Sequence, residues 1–270
     1  MKKFIALLFQ SCILLAGAGS AGAHEFWLDP VEFSPKPGAR VPIVHRNGMN
    51  FLGDSYPYVR AWSKRFSVID GRGERSIKAV EGDDPAAEVH VPNAGLAIVV
   101  FQRAPDVVTY KSVGHFLETL DDEGLETIAA QYRSLTSPPA EIRESYSRFA
   151  KTLLDVGAGG GSDRAVGLAM EIVVEGNPYA LAADAPVVAR VLFEGKPVAD
   201  AQVKAFNRAD PQSPRRARTD AGGRVAIANV PAGEVLLSAV VMLPGDAKAR
   251  DAKARADWTS LWASVTFKRP

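Results

Sequence analysis

The sequence predicts a mainly β protein with two β-sandwich domains of the immunoglobulin or transthyretin-like type and an inserted helical hairpin. Three observations support this prediction: short apolar segments that alternate or are rich in β-branched residues, turn residues about ten residues apart, and one helix-like stretch between two groups of strands. The 270-residue chain is 47% hydrophobic and 23% charged, as is typical of globular proteins with packed cores.

Residues 1–23 have the pattern of a signal peptide. Lys2 and Lys3 precede an apolar run from residue 4 to residue 16, and the small residues that follow end in an A-x-A pattern at residues 21–23. The apolar run is too short to span a bilayer. We therefore expect export to the periplasm, a mature chain that begins at His24, and no stable membrane span after cleavage.

The composition of the mature chain restricts its chemistry. Cys12 is the single cysteine and lies in the predicted leader, so neither a disulfide nor a thiolate metal site is expected. Loss of Lys2 and Lys3 leaves 30 basic against 31 acidic residues. A charge this close to zero argues against binding to nucleic acid or to a membrane surface.

The N-terminal sandwich domain is predicted over residues 24–165. Within it, Val41, Ile43 and His45 alternate along one strand face, and residues 96–101 form a β-branched apolar run. Turn signals such as Asn47-Gly48 separate these segments.

A helical hairpin is predicted within this domain, at about residues 114–156. Residues 115–132 are rich in Leu, Glu and Ala, and Pro138-Pro139 can begin a second helix. Four residues of that second helix recur at spacings of four, three and four, which predicts a core-facing stripe: Ile142, Tyr146, Phe149 and Leu153.

The C-terminal sandwich domain is predicted over residues 166–270. Alternating or β-branched segments predict strands near residues 170–174, 187–193, 201–206, 224–228, 234–242 and 258–267. Trp258 and Trp262 share the face of the last strand that lies opposite its apolar residues. We interpret them as packing against a neighbouring part of the protein, with a ligand-binding surface as the alternative.

A metal site is predicted at His24. After cleavage behind Ala23, this residue carries an α-amine and an imidazole Nδ1, which together can chelate copper or nickel. Cleavage behind Ala21 is the alternative, and it leaves a third-position histidine suited to square-planar coordination. The second imidazole ligand is predicted to be His45, ahead of the other two histidines of the chain, His90 and His115.

Enzyme signatures are missing from the sequence. It contains no nucleophile elbow, no His-Glu-x-x-His zinc helix and no dinucleotide fingerprint. The acidic clusters Asp83-Asp84 and Asp121-Asp122-Glu123 are interpreted as solvated charge at turns or helix starts. We therefore expect a noncatalytic protein.

Several motifs spread along the mature chain resemble one family of exported bacterial proteins of unknown function: AHEFWLDP, RESYSRFAKTLLDVG, EGNPYAL, GKPVADAQVKAF, TDAGGRVAI and DWTSLWASVTF. That family is related to NikM-like periplasmic components of nickel and cobalt uptake systems. The resemblance implies a periplasmic β-sandwich protein connected with transition-metal handling. The segment from GKPVADAQV to TDAGGRVAI also resembles transthyretin-like modules, which implies a fold and no activity.

The resulting functional prediction is a periplasmic protein that binds nickel, cobalt or copper and assists its uptake or delivery. Its expected partner is a metal uptake system or an outer-membrane receptor. Two alternatives remain open. One is an interaction module that binds a protein, glycan or outer-membrane receptor through the surface of Trp258 and Trp262, and the other is a copper enzyme with a histidine brace.

Overall fold

The computed structural model describes residues 25–246, 248 and 255–270. These residues form seventeen β-strands and two α-helices, in this order: β1 (Glu25–Pro30), β2 (Ala39–Met49), β3 (Leu52–Tyr56), β4 (Ser63–Asp70), β5 (Gly73–Ser76), β6 (Ala87–Val91), β7 (Gly95–Arg103), β8 (Asp106–Tyr110), α1 (Val113–Asp122), α2 (Glu126–Arg133), β9 (Ile142–Val156), β10 (Met170–Val174), β11 (Val187–Phe193), β12 (Lys196–Pro197), β13 (Gln202–Asn207), β14 (Asp210–Arg218), β15 (Arg224–Ile227), β16 (Gly233–Pro244) and β17 (Trp258–Arg269).

A nine-stranded sheet forms the middle layer of the structure. Its strand order is β14-β13-β16-β17-β9-β7-β4-β5, and β8 pairs with the first residues of β9. Most neighbours are antiparallel, but β17 and β9 are parallel, with Trp258 opposite Glu144 and Thr266 opposite Thr152. The last strand of the chain therefore joins strands from both halves of the sequence.

Two four-stranded sheets cover opposite faces of this middle layer. One contains β1, β2, β3 and β6, and the other contains β10, β11, β12 and β15. Successive residues of β9 point into different cores: Ala150 and Leu154 pack under the first small sheet, and Phe149 and Leu153 under the second. The predicted mainly β, sandwich-type fold is confirmed, in a three-layer arrangement.

The two helices form a hairpin at one end of the middle sheet. Their apolar residues, including Phe116 and Leu120, pack on Ile142 and Met242. The turn between the helices needs Gly124, whose φ is +69° and where an added Cβ would lie 2.9 Å from the side chain of Gln202. A helical hairpin is thus present, but both of its helices lie in the segment that was predicted to form the first helix alone. No helix in the described residues is long and apolar enough to cross a membrane.

The second predicted helix is wrong, because residues 142–156 form the long strand β9. A strand at the middle of a three-layer structure is covered on both faces, so consecutive residues from Arg148 to Leu154 are all buried. Apolar residues then occur at odd and even positions, and the period of two is lost. The helical spacing of Ile142 and Phe149 within this strand is coincidental.

The predicted domain boundary, at about residue 165, lies in the segment that joins β9 to β10. This segment leads from the middle sheet to a covering sheet. Strands from both predicted domains share the middle sheet, since β4, β7 and β9 precede the boundary and β13, β16 and β17 follow it. The two predicted sandwiches therefore have a layer in common, and their division into two folding units stays a prediction.

Candidate functional site

The first predicted metal ligand, His24, lies outside the described residues, and β1 begins at the next residue, Glu25. All six residues of β1 are buried. Two hydroxyl groups of β17 fix its backbone, since Ser264 Oγ donates to the Phe26 carbonyl oxygen and Thr266 Oγ1 to that of Leu28, both at 2.7 Å. The first strand, which belongs to a covering sheet, is therefore firmly held against the middle sheet.

The His45 side chain lies on β2 and enters the core on the face of Val41 and Ile43, as predicted. Its ring is buried among four aromatic rings, with centroid distances of 4.3 Å to Phe101, 5.2 Å to Phe66, 5.5 Å to Phe26 and 6.5 Å to Tyr58. Burial lowers its pKa to about 4, although Asp84 opposes the shift. Nε2 is buried without a hydrogen-bond partner, so the neutral imidazole behaves as part of an aromatic core.

The other two candidate ligands lie apart from His45. His90 is exposed on β6, opposite Arg40, and its side chain points away from the buried Val89 and Val91. His115 is half-buried in the first turn of α1, where Ser112 caps the helix by accepting a hydrogen bond from the His115 N–H at 3.2 Å. In the part of the chain that the structure describes, no three His, Cys, Asp or Glu side chains are grouped as a metal site.

A buried ion cluster lies beside the start of β1. Lys204 on β13 is almost completely buried, and its Nζ lies 2.8 Å from Glu25 Oε1 and 2.9 Å from Asp122 Oδ2. It also donates to Glu123, and Arg216 Nη2 lies 2.9 Å from Asp122 Oδ1. We call these five residues the Lys204 cluster. It connects the first strand, the α1–α2 turn and the edge of the middle sheet.

The ionisation of this cluster is set by burial and by its excess of carboxylates. Burial raises the pKa of Glu123 to about 8; Lys204 opposes this shift and Glu25 adds to it. Burial disfavours the charged form of Lys204, but Glu123, Glu25 and Asp122 together raise its pKa above the ordinary lysine value. We infer an ammonium that stays charged and a Glu123 carboxyl that is partly protonated at neutral pH.

A second polar network occupies the first half of β9. The Glu144 carboxylate is buried, accepts a hydrogen bond from Tyr110 Oη at 2.8 Å and is also bonded by Ser260 Oγ. Ser260 Oγ in turn accepts from Trp262 Nε1 at 2.8 Å. Burial raises the pKa of Glu144, and these hydroxyl bonds oppose the rise. This network buries an acidic side chain of β9, within the segment for which the sequence predicted a helix.

Next to Glu144, two arginines lie against the ring of one tyrosine. The guanidinium carbon of Arg148 lies 4.7 Å from the centroid of the Tyr146 ring, and that of Arg103 lies 5.5 Å from it. Arg103 also lies over Trp62, at 4.5 Å from the ring centroid, and Nη2 donates to Asp106 at 3.0 Å. We call these five residues the arginine–aromatic patch.

Both tryptophans of the last strand are used in packing. Trp262 is only 4% exposed, and Trp258 packs on the helical hairpin and donates from Nε1 to Tyr132 Oη at 2.8 Å. The Trp262 ring therefore does not form part of an exposed binding surface. The interpretation of this pair as internal packing agrees with these contacts.

The buried charges are the features that sequence analysis missed. Asp122 is half-exposed, as a solvated acid should be, but the adjacent Glu123 is buried. A usable signal was present in the strand that carries Lys204, because a lone lysine between Val203 and Ala205 sits in an otherwise apolar run. The equivalent signal for Lys151 is its position in the run FAKTLL. Neither lysine's position in the sequence indicates which acidic residues it contacts.

Among solved structures, the chain is similar to one described as "D0-D1 domain of Intimin", with a TM-score of 0.20 and 13% identity, over 90% of this chain and 97% of that one. It is also similar to a "tetra-tandem repeat in extending region of large adhesion protein", with a TM-score of 0.20 and 12% identity, over 92% of this chain and 50% of that one. No curated protein matches the chain. One family model matches residues 21–242, and the chain therefore belongs to the family described as "Domain of unknown function (DUF4198)".

Proposed function

We propose that this chain is an exported, noncatalytic periplasmic protein that binds nickel, cobalt or copper through His24. In this proposal a metal uptake system, of the kind with NikM-like periplasmic components, or an outer-membrane receptor receives the metal. The proposal rests on a leader pattern that ends at Ala23 and on the chelating pair that a terminal histidine offers.

The observation that carries the proposal is the fixed position of Glu25. Its carboxylate is held 2.8 Å from the buried Lys204 Nζ, and its strand is bonded to β17 through the Phe26 carbonyl oxygen. Consecutive α-carbons are about 3.8 Å apart, so a terminus at residue 24 begins one residue from a rigid point. A chelating residue attached to a fixed strand loses less conformational freedom on binding than one on a free tail.

The remaining coordination positions of the metal are filled by water, by ligands that the metal carries from solution, or by a second imidazole. His45 lies opposite Leu28, three residues after the start of β1. Three strand residues span about 10 Å, so a metal held by both histidines needs the chain before Glu25 to fold back towards His45. We propose the terminal amine and imidazole as the primary pair, and His45 as a second ligand only in that arrangement.

The test begins with the intact mass of the exported protein, which distinguishes cleavage after Ala23 from cleavage after Ala21. Calorimetric titration with nickel, copper, cobalt and zinc then measures affinity and stoichiometry. We expect one metal per chain and a loss of at least about 100-fold in affinity, or about 2.7 kcal/mol, in His24→Ala. Unchanged baselines with all four metals on correctly processed protein would contradict the proposal.

Two further variants separate the ligand groups. One extra alanine in front of His24 keeps the imidazole but moves the α-amine away, so it weakens binding if the amine is a ligand. His90→Ala is the matched control, because His90 is exposed and lies on a different strand. Loss of affinity in His45→Phe, with the fold retained, supports the brace arrangement. If the extended protein and His24→Ala both bind like the unmodified protein, the metal is held elsewhere.

A further inference from the structure

Met49, the last residue of β2, is an exposed methionine. It is 54% exposed, whereas the other two methionines in the described part of the chain, Met170 and Met242, are buried. Met49 belongs to none of the hydrophobic clusters that the described residues form. A thioether sulfur is a soft, polarisable group that suits copper(I). Met49 therefore offers a soft ligand group at the surface.

Met49 lies beside the point where the chain enters β1. In the antiparallel pairing of β1 with β2, Glu25 lies opposite Gly48 and Phe26 lies opposite Asn47. Met49 directly follows Gly48, so the next pair in this register joins Met49 to the residue before Glu25. Residues directly opposite each other share a face of the sheet, and their Cβ atoms are about 4.5–5.5 Å apart. The register thus connects Met49 with the predicted metal ligand at the terminus.

The backbone around Met49 is fixed by the turn that follows it. Asn50 and Phe51 both have positive φ angles, 55° and 59°, as the central residues of a type I′ hairpin turn do. Phe51 is buried, and its ring centroid lies 5.5 Å from that of Trp27 on β1. Asn50 Nδ2 also donates to Gln212 Oε1 at 3.2 Å. The end of β2 is therefore held next to β1, and a metal bound at Met49 has to order only the side chain.

We propose that Met49 Sδ is a ligand of the metal held at His24, and that this site selects copper, above all in the copper(I) state. In this proposal the pairing of β1 with β2 continues by one residue, which brings the His24 imidazole and the Met49 thioether to the same face of the sheet. The inference rests on the function proposed above and deepens it, because it names a second side-chain ligand and the metal.

Met49 suits this role better than His45. The two residues are four positions apart on β2, which corresponds to about 13 Å. A metal shared by His24 and Met49 therefore requires no folding back of the chain towards His45. Thioethers select copper(I), whereas imidazole nitrogens also suit nickel and zinc. The thioether thus determines which metal is preferred as well as how tightly it is held.

The test compares copper(I) with nickel(II) on correctly processed protein. Copper(I) affinity is measured in the absence of oxygen, by competition with the chromophoric chelator bicinchoninate, and nickel(II) affinity is measured by calorimetry. Met49→Leu nearly conserves the volume of the side chain and removes its sulfur. We expect this variant to bind copper(I) about tenfold more weakly or worse, a loss of about 1.4 kcal/mol, and to bind nickel(II) within about twofold of the unmodified protein.

A control variant and a spectroscopic measurement locate the sulfur ligand. Leu52→Ala is the matched control, because Leu52 is an exposed apolar residue opposite Met49 on β3 and carries no ligand atom. It should bind copper(I) like the unmodified protein. X-ray absorption of the copper(I) protein should show a sulfur scatterer that is absent in Met49→Leu. Met49→His supplies a nitrogen ligand at the same position and should strengthen nickel(II) binding.

The outcomes separate this inference from the function on which it rests. If His24→Ala loses copper(I), but Met49→Leu binds it like the unmodified protein and no sulfur scatterer is seen, Met49 is not a ligand and the terminal site stands. If correctly processed protein binds no metal, both proposals fail. Equal losses of copper(I) and nickel(II) affinity in Met49→Leu would overturn the selectivity for copper.

Discussion

Lys204 Nζ and Glu25 Oε1 form a buried contact of 2.8 Å between residues 179 positions apart in the chain. Glu25 opens the first strand, and Lys204 lies on β13, next to the edge strand of the middle sheet. Because Lys204 also holds Asp122 and Glu123, one ammonium group organises three carboxylates. This contact makes the position of the first strand depend on the charge state of a buried cluster.

Replacement of Lys204 by Met should strongly destabilise the protein. The variant leaves Glu25 and Glu123 buried without their cation, and removal of one partner from a buried ion pair costs about 3–5 kcal/mol. Urea unfolding measures the change. Lys64→Met is the control, because Lys64 is exposed on β4 and should alter stability by less than about 0.5 kcal/mol. Equal stabilities of the two variants would contradict the structural role of the cluster.

The raised pKa of Glu123 predicts a stability that decreases with rising pH. The ordinary pKa of this carboxyl is 4.5, and in the folded protein it is about 8. The folded state therefore holds a proton that the unfolded state has lost, and stability falls between these two values by up to about 1.4 kcal/mol per pH unit. Above pH 8 this contribution is fully lost.

Glu123→Gln removes the ionisation and keeps the shape of the side chain. Above pH 6.5, where His45 contributes no slope, we expect the unfolding free energy of this variant to stay level up to pH 8, and the variant to be more stable than the unmodified protein at the upper end. Glu81→Gln serves as the comparison, since Glu81 is an exposed acid in a loop. Parallel pH profiles for the unmodified protein and Glu123→Gln would show that Glu123 ionises normally.

The sequence was sufficient to predict strands that carry a clear local signal. Val41, Ile43 and His45 follow the expected alternation on β2, and residues 96–101 form a β-branched run within β7, which is buried on both faces. It was insufficient for β9, because this strand is also covered on both faces and so has no alternation to read, and it lacks such a β-branched run. The single middle sheet also depends on the parallel pairing of β9 with β17, which joins residues more than a hundred positions apart.

The environment of the candidate site is set by contacts that are distant in sequence. The face of His45 could be predicted from its own strand, but Phe66 and Phe101 reach it from two other strands. Glu123 lies 81 positions from Lys204, so its burial has no local signature beyond its acidic neighbours. Residue types therefore indicated where charge occurs, and only the register of the sheets determines which charges meet.

Burial of His45 predicts a loss of stability in acid. Its ordinary pKa of 6.5 falls to about 4 in the folded protein, so the unfolded state takes up a proton first as pH decreases. Stability from this residue is complete above pH 6.5 and is lost as pH falls towards 4, by up to about 1.4 kcal/mol per pH unit. Glu123 contributes the opposite slope above pH 4.5, so the slope of His45 is the difference between the unmodified protein and His45→Phe in thermal unfolding between pH 4 and 7.

His45→Phe should reduce that acid sensitivity. The new ring lies among Phe26, Phe66 and Phe101, and it removes a buried nitrogen without a partner, whose burial costs about 1–3 kcal/mol. His90→Phe is the control, since His90 is exposed and should leave the slope unchanged. If both variants keep the original slope, His45 is not buried in its neutral form.

Lys151 should control how well the chain segment between β9 and β10 is protected from proteolysis. Its Nζ lies 2.9 Å from Asp163 Oδ1 and 3.2 Å from Glu171 Oε1, and all three side chains are almost completely buried. It also donates to the Arg164 carbonyl oxygen at 3.3 Å, while the Arg164 N–H donates to Asp163 at 2.8 Å. The backbone at the exposed Arg164 is therefore fixed by buried charges.

Lys151→Met leaves two buried carboxylates without a cation, so the segment around Arg164 should open and global stability should fall by about 3–5 kcal/mol. Brief trypsin treatment followed by mass analysis should show faster cleavage after Arg164 in the variant, because a protease needs locally unfolded backbone. Lys196→Met is the matched control, as Lys196 is exposed in the short strand β12. Cleavage after Arg164 at the same rate in both variants would mean that the hydrogen bonds of Glu171 to Val166 and Gly167 hold the segment without Lys151.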